Sequence, residues 1–248
     1  MSGRAGEIIT DIVEDGLVFN MDAANRASYS KTGTSVKDTL NNSSGTLTNG
    51  SSFQSTLPLS FDFDGADDEL IFSNNTAINS LGTLTTDLTL SIWFRNEGAS
   101  NVEQRIFGMS TNQSYTGGRS ISAVIYSNNL QSYYRDNNGY KYRNISFSGQ
   151  QNEWLSYTIV FHSGDENATT QYLNNVAYSG MTAGQSGVIF PSSFNFADTT
   201  IYLGNNSSHS TLALDGQIGC FQMYTRALSD NERTHNYNAL RSRFGVWD

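Results

Sequence analysis

Residues 88–96 read LTLSIWFRN, and the alternation of this run constrains the fold more than any other feature of the chain. A period of two puts Leu88, Leu90, Ile92 and Phe94 on one side of a strand, and Thr89, Ser91, Trp93 and Arg95 on the other. Comparable runs recur at residues 16–23, 57–65, 121–127, 132–144, 153–162, 169–179 and 199–206, separated by clusters of Gly, Asn, Asp and Ser. Short strands at this spacing predict an all-β, two-sheet antiparallel sandwich. Within 132–144, Asn137-Asn138-Gly139 predicts a hairpin turn, because Asn and Gly accept positive φ. The chain has only two prolines, and no Gly/Ser-rich bridge divides it into patterned halves. One domain over residues 16–248 is expected, preceded by an N-terminal arm, Met1–Asp15.

One segment departs from this pattern. From Ser229 to about Arg241 the sequence predicts the only substantial helix. Ser229 and Glu232 make an S-x-x-E capping box, and Asp230 adds negative charge to the first turn. Arg241 and Arg243 add positive charge near the end, where Gly245 can terminate the helix. In the strand before it, Ile218, Phe221 and Met223 break strict alternation, which predicts a β-bulge at Gly219-Cys220. Cys220 then reads as a small structural hydrophobe rather than a nucleophile.

Charge narrows the partners. The 248 residues carry a formal net charge of -9, and no basic stripe exists to displace counterions from phosphates, which excludes nucleic acid. A single cysteine excludes an intramolecular disulfide. With no apolar leader core in the first residues, maturation in a reducing compartment is expected. No apolar run reaches membrane-spanning length. H-E-x-x-H, G-x-S-x-G and P-loop motifs are absent, and His162, His209 and His235 are scattered.

Four stretches carry a family resemblance. LDGQIGCFQMYTRALSDNE (214–232) resembles the closing strand, R-A-L-S corner and helix of concanavalin A-like jelly rolls of the laminin G and pentraxin type. LSFDFDGADDELIF (59–72) is similar to their F-D-G-x-D-D element. Residues 154–180 are similar to their W-x-x-V-V…Y-x-N-G-x hairpin, and TTIYLGNN (199–206) to their I-x-L-G strand. DGLVFNMDAANRASYS (15–30) and NYNALRSRFG (236–245) are closer to laminin G-like modules in virion proteins of tailed bacteriophages. The resemblance implies a jelly roll whose first and last strands are neighbours, with a closing helix over a sheet edge or end. It also implies assembly in a bacterial cytoplasm and localisation in the virion.

Related jelly rolls include endo-glucanases, which place E-x-D-x-x-E on one strand so that two carboxylates flank the scissile bond. The nearest candidates here, Glu7, Asp11 and Glu14, have a different spacing and precede the first strand, so no catalytic residue is expected. Asp62, Asp64, Asp67 and Asp68 crowd into seven residues, and hard oxygen donors near a turn suit calcium. Alternation puts Asp62 and Asp64 opposite Phe61 and Phe63, with Asp67 and Asp68 in the turn. Pentraxin-type domains hold calcium with carboxylates after the I-x-L-G strand; here those positions are Asn205, Asn206, Ser207 and Ser208, so that site is not expected. For sugars, Tyr133, Tyr134, Tyr140 and Tyr142 with Arg135, Asn137 and Asn138 make an aromatic and polar hairpin. Trp93 and Arg95 can also face solvent. The same tyrosines can instead serve core packing, cross-strand pairing or a subunit interface.

The resulting expectation is a non-enzymatic virion protein: a tail fibre, spike, appendage or capsid decoration. It would form a homo-oligomer, contact other virion proteins and possess a module for host-surface carbohydrate. A free lectin-like protein and a polysaccharide hydrolase of jelly-roll type are the alternatives. In the arm, Ile8, Ile9, Ile12 and Val13 recur at helical spacing and need a surface to bury against, either a neighbouring subunit or the chain's own sandwich.

Overall fold

The structure, a computed structural model, describes residues 12–40, 43–73, 76–110, 120–136, 139–180, 183–184, 190–205 and 212–246. In chain order the first strands are β1 (Leu17–Asp22), β2 (Ser35–Lys37), β3 (Ser44–Thr48), β4 (Ser52–Gln54), β5 (Ser60–Asp64) and β6 (Glu69–Phe72). A five-residue helix, α1 (Thr76–Ser80), precedes β7 (Thr83–Leu84), β8 (Leu88–Asn96), β9 (Gln104–Ser110), β10 (Ser120–Tyr126), β11 (Asn129–Asp136) and β12 (Gly139–Ser146). Then come β13 (Trp154–His162), β14 (Asp165–Leu173), β15 (Val176–Ser179), β16 (Ala183–Gly184), β17 (Phe194–Asn195), β18 (Thr200–Leu203) and β19 (Asp215–Tyr224). The chain closes with α2 (Asp230–Arg241) and a 3-10 turn, Ser242–Phe244.

Two antiparallel sheets pack face to face. The first has the order β15-β14-β13-β8-β19-β5-β4, with β1 also paired to β19; the second runs β16-β12-β11-β10-β9-β18-β6-β3-β2. The expected sandwich and the adjacency of first and last strands are both present. Leu88, Leu90, Ile92 and Phe94 of β8 enter the shared core, as alternation predicts, and meet Phe61, Phe63, Ile121, Ile125, Ile201 and Leu203. Residues 169–179 form two strands rather than one, turning at Asn174 and Asn175, whose φ values are 47 and 69.

The predicted bulge lies in β19. Ile218 pairs with Phe94 and Cys220 with Trp93, so β19 spends two steps where β8 spends one. Ile218, Phe221 and Met223 consequently all reach the core, while Cys220 joins a second apolar cluster with Trp93, Trp154, Leu240, Phe244 and Ile12 on the opposite face. Gly219 is needed there for space. A Cβ at this position would lie 2.4 Å from the Phe244 ring.

After β19 the chain turns a corner held by Thr89, whose Oγ1 accepts from Leu228 N at 3.0 Å and donates to Arg226 O at 2.8 Å. The capping box forms: Ser229 N donates to Glu232 Oε2 at 2.9 Å, and Glu232 N donates to Ser229 Oγ at 3.4 Å. Arg226 adds a two-pronged ion pair to Glu232, with distances of 2.9 and 2.6 Å, and this pairing holds the Glu232 carboxyl down to about 2. Gly245, at φ 71, ends the helical path after the 3-10 turn.

The expectation that the helix covers a sheet edge or end gives way to a different placement. The helix lies on the outer face of the first sheet, over β8, β13 and β19. Trp93 shows why: it is only 1% exposed and is stacked by the rings of Phe244 (centroids 4.6 Å apart) and Tyr237 (5.7 Å). So large an aromatic on an outer face requires a cover. The described end of the arm joins the same layer. Ile12 is buried, Val13 N donates to Asn236 Oδ1 at 2.8 Å, and the Asp15 carboxylate lies 2.9 Å from Arg226. For these residues the burying surface belongs to the same chain; Ile8 and Ile9 lie outside the described residues. Among the described residues, no helix is long and apolar enough to cross a membrane.

Two outcomes follow. Gly219→Ala is expected to destabilise the fold by about 1–3 kcal/mol, since the new methyl must displace the Phe244 ring; chemical denaturation measures it. The folded-state value for Glu232 lies below the ordinary 4.5, so its pairing contributes stability above that pH and loses it as pH falls towards about 2. Glu232→Gln is therefore expected to melt roughly 2–4 °C lower than the parent at neutral pH. That gap should close as both proteins are taken from pH 4.5 to 2.

Candidate functional site

With α2 on the first sheet, the contrasting surface is the outer face of the second. In β10, Ile121, Ala123 and Ile125 enter the core, so Ser120, Ser122 and Val124 face outward. Pairing register extends this face in two rows. Ser122 sits opposite Tyr133, which sits opposite Tyr142; Ser120 sits opposite Arg135, which sits opposite Tyr140.

The three tyrosines form one aromatic platform. Tyr133 stacks on Tyr142 with centroids 5.2 Å apart and planes inclined at 26°; Tyr140 lies 5.8 Å from Tyr133 and 5.9 Å from Tyr142. The Arg135 guanidinium carbon is 5.3 Å from the centre of the Tyr140 ring. All four side chains are half-buried. Tyr133 donates its hydroxyl proton to Gln131 Oε1 at 2.5 Å. Burial, reinforced by the nearby Glu103 carboxylate, pushes the Tyr133 phenol up to about 12, so it remains a neutral donor at physiological pH. Arg105, paired with Glu103 at 2.6 Å, lies near enough to oppose that shift. The Ser120 and Ser122 hydroxyls, at outward positions of β10, are buried and have no hydrogen-bond partner among the described residues.

The hairpin residues thus divide. Tyr133, Arg135, Tyr140 and Tyr142 come together on the outer face. Tyr134 does not: it is 2% exposed and packs in the core, edge-on to Phe190 and Phe194. Adjacent residues of a strand face opposite ways, so only one of Tyr133 and Tyr134 can join the platform. Asn137 and Asn138 lie outside the described residues. The sequence reading overlooked Gln131, Ser120, Ser122, Glu103 and Arg105; alternation in residues 120–126 already marks the two serines as outward. Trp93 is covered by the helix rather than facing solvent, and Arg95 pairs with Glu97 at 3.4 Å.

The acidic group divides too. Asp64, Asp67 and Asp68 bring ligand oxygens within 4.8 Å of one another. Asp62 lies outside this trio and accepts from Gln217 Nε2 at 3.3 Å. Burial, followed by repulsion from Asp62 and Asp64, raises the carboxyl of Asp215, which is opposite Asp64 in β19. At the pentraxin-type position Asn205 is buried, and residues 206–208 lie outside the described residues. Burial pushes the Cys220 thiol up to about 12, as befits a packing residue. His162 pairs with Asp87 at 2.9 Å; Glu7 and Asp11 lie outside the described residues.

The sequence profile of the concanavalin A-like lectin/glucanases superfamily matches residues 64–232, more than half of the chain. The chain belongs to this superfamily. Comparison with curated proteins gives no match. Among solved structures, the binding domain of botulinum neurotoxin DC in complex with SialylT is similar with a TM-score of 0.65 and 18% identity, over 91% of this chain and 52% of that one. The binding domain of botulinum neurotoxin serotype D/C VPI 5993 gives 0.65 and 17%, over 91% and 52%. The receptor-binding domain of mosaic serotype C/D, with tetraethylene glycol on its Hcn sub-domain, gives 0.62 and 16%, over 90% and 51%. This superfamily member therefore spans about half the length of the structures it resembles, and at such identities the likeness is one of fold.

The split of the two adjacent tyrosines can be measured. Tyr134→Ala should cost about 3–5 kcal/mol, as for other large core aromatics. Tyr142→Ala should cost about 1 kcal/mol, the worth of a cross-strand pair on an outer face.

Proposed function

We propose that this jelly roll is a non-enzymatic glycan-binding module, with the outer face of its second sheet as the binding surface. The observation that carries the reading is the convergence of the half-buried Tyr133, Tyr140 and Tyr142 rings with Arg135. A sugar presents apolar C–H faces ringed by hydroxyls. Aromatic rings offer the complementary apolar surface, and amides, guanidinium and hydroxyl groups supply directed hydrogen bonds at its margin. A neutral glycan is not repelled by a chain of net charge -9. The complex of a structurally similar toxin domain with SialylT adds support at the level of fold.

The setting proposed for the module is the virion of a tailed bacteriophage, as a fibre, spike, appendage or capsid decoration that meets host-surface carbohydrate. Support for it comes from the likeness of residues 15–30 and 236–245 to phage laminin G-like modules.

A glycan array followed by calorimetry on the hits is the test. Tyr142→Ala and Arg135→Ala are each expected to weaken binding about tenfold or more while changing stability little. An array without hits, or hits bound equally well by both variants, would overturn the platform. Absence of the protein from purified virions of its own phage would overturn the setting and leave a free lectin.

A further inference from the structure

We propose that the glycan taken by the second sheet bears a small neutral acyl substituent, an acetamido group, seated in a cavity beside the tyrosine platform. This rests on the glycan-binding reading of Tyr133, Tyr140 and Tyr142. Register carries one row of outward residues across the sheet. Thr200 is opposite Ser110, Ser110 opposite Ser120, Ser120 opposite Arg135, and Arg135 opposite Tyr140. Neighbouring strands lie about 4.8 Å apart, so the Ser120 backbone stands roughly 5 Å from that of Arg135 and roughly 10 Å from that of Tyr140. A glycan of one or two residues held on the rings spans that gap.

The next row, Met109, Ile121 and Tyr134, turns inward, and Tyr134 lies edge-on to Phe194 of β17. These four side chains and Phe196 line a cavity of about 20 Å³, with Ser120 and Thr199 also in its wall. Volume decides what fits. About 10–15 Å³ holds one water-sized group, so the cavity takes a methyl group and not a longer chain. A water needs two to four polar partners, whereas a methyl group gains by burial against five apolar side chains. Ser120 supplies the polar margin. As the first residue of β10 it stands where the outer face and the cavity meet. It is 5% exposed, and its hydroxyl has no hydrogen-bond partner among the described residues. A buried hydroxyl is costly to leave unpaired, and an acetamido carbonyl would accept its proton. An ammonium in the same place would be desolvated without a counter-charge, because no carboxylate stands in the wall. The substituent is therefore neutral.

Titration of the full chain with matched methyl glycosides, followed by NMR, is the test. The pairs are glucose with N-acetylglucosamine and galactose with N-acetylgalactosamine, each joined by the N-butanoyl and free-amine forms of the amino sugar. In at least one series the N-acetyl member should bind about tenfold more tightly than the parent hexose, and the N-butanoyl and free-amine members should lose that gain. Ser120→Val, a strand-compatible side chain that fills the cavity mouth, should erase the preference, read as the ratio of the two affinities in the same variant. Tyr142→Ala should weaken every member alike. Equal binding of hexose and N-acetyl sugar, both still weakened by Tyr142→Ala, would overturn the cavity and leave the platform standing. A preference that survives lengthening to butanoyl would do the same. Binding indifferent to Tyr142→Ala, or no binding at all, would overturn the platform reading and this inference with it.

Discussion

The bulge at Gly219-Cys220 is the constraint on which the rest of the architecture depends. It divides β19 into two halves with different neighbours: residues 215–218 pair with β5, and residues 220–224 pair with β1. One extra residue also resets alternation. Without it, a strand with Ile218 in the core would turn Phe221 and Met223 outward, because a single-residue slip moves every later side chain to the other face. The freed backbone is used as well. Gly219 O accepts from Ala23 N at 2.9 Å, immediately beyond β1, and thereby ties the first strand to the last.

The same bulge prepares the bed on which the closing helix lies. Cys220, Gln222 and Tyr224 face outward beside Trp93, yet the buried residues of α2 are Arg233, Asn236 and Leu240, which is no apolar stripe. Apart from the Tyr237 ring on Trp93, contact along the middle of the helix is polar. Asn236 donates to the Tyr224 hydroxyl at 3.0 Å, and the Arg233 guanidinium lies 3.6 Å from the centre of the Tyr172 ring. Apolar anchoring comes towards the ends, from Leu228 before the helix, Leu240 in its last turn and Phe244 after it. Arg243 completes the attachment with a bidentate, largely buried ion pair to Asp22, at 2.7 and 2.8 Å. Removing one partner of such a pair leaves the other charge buried alone, so the pair specifies where the tail sits more than it adds net stability.

Much of this was legible in the sequence, for physical reasons that also mark where reading stopped. Alternation in 88–96, the broken alternation around Gly219 and the Ser229/Glu232 box are local patterns, and each has the predicted structure. Strand β9 went unread because it is buried along its whole length, so its sequence, QRIFGMS, carries no polar alternation. The destination of the helix was equally hidden. Nothing local to residues 229–245 says whether they cover an edge or a face; that depends on Trp93, more than a hundred positions away. The candidate sites failed in a narrower way. Proximity in sequence grouped Tyr133 with Tyr134 and Asp62 with Asp64, whereas register sends Tyr134 to the core and Gln217 engages Asp62.

The two outer faces of the sandwich differ in what covers them. On the first sheet, a Trp and a buried polar layer are enclosed by the chain's own helix and by Ile12 of the arm. On the second, the corresponding aromatics are three half-exposed tyrosines with polar tips, a composition that tolerates water and can also exchange it for a ligand. Tryptophan thus lies where the chain's own helix covers it, and the three tyrosines lie where they remain half-buried. The β-hairpin supplying that face is fixed by eight register pairs between β11 and β12, so the platform is rigid before any ligand arrives. On the proposed reading, such aromatic anchors would lose little side-chain entropy on binding a sugar.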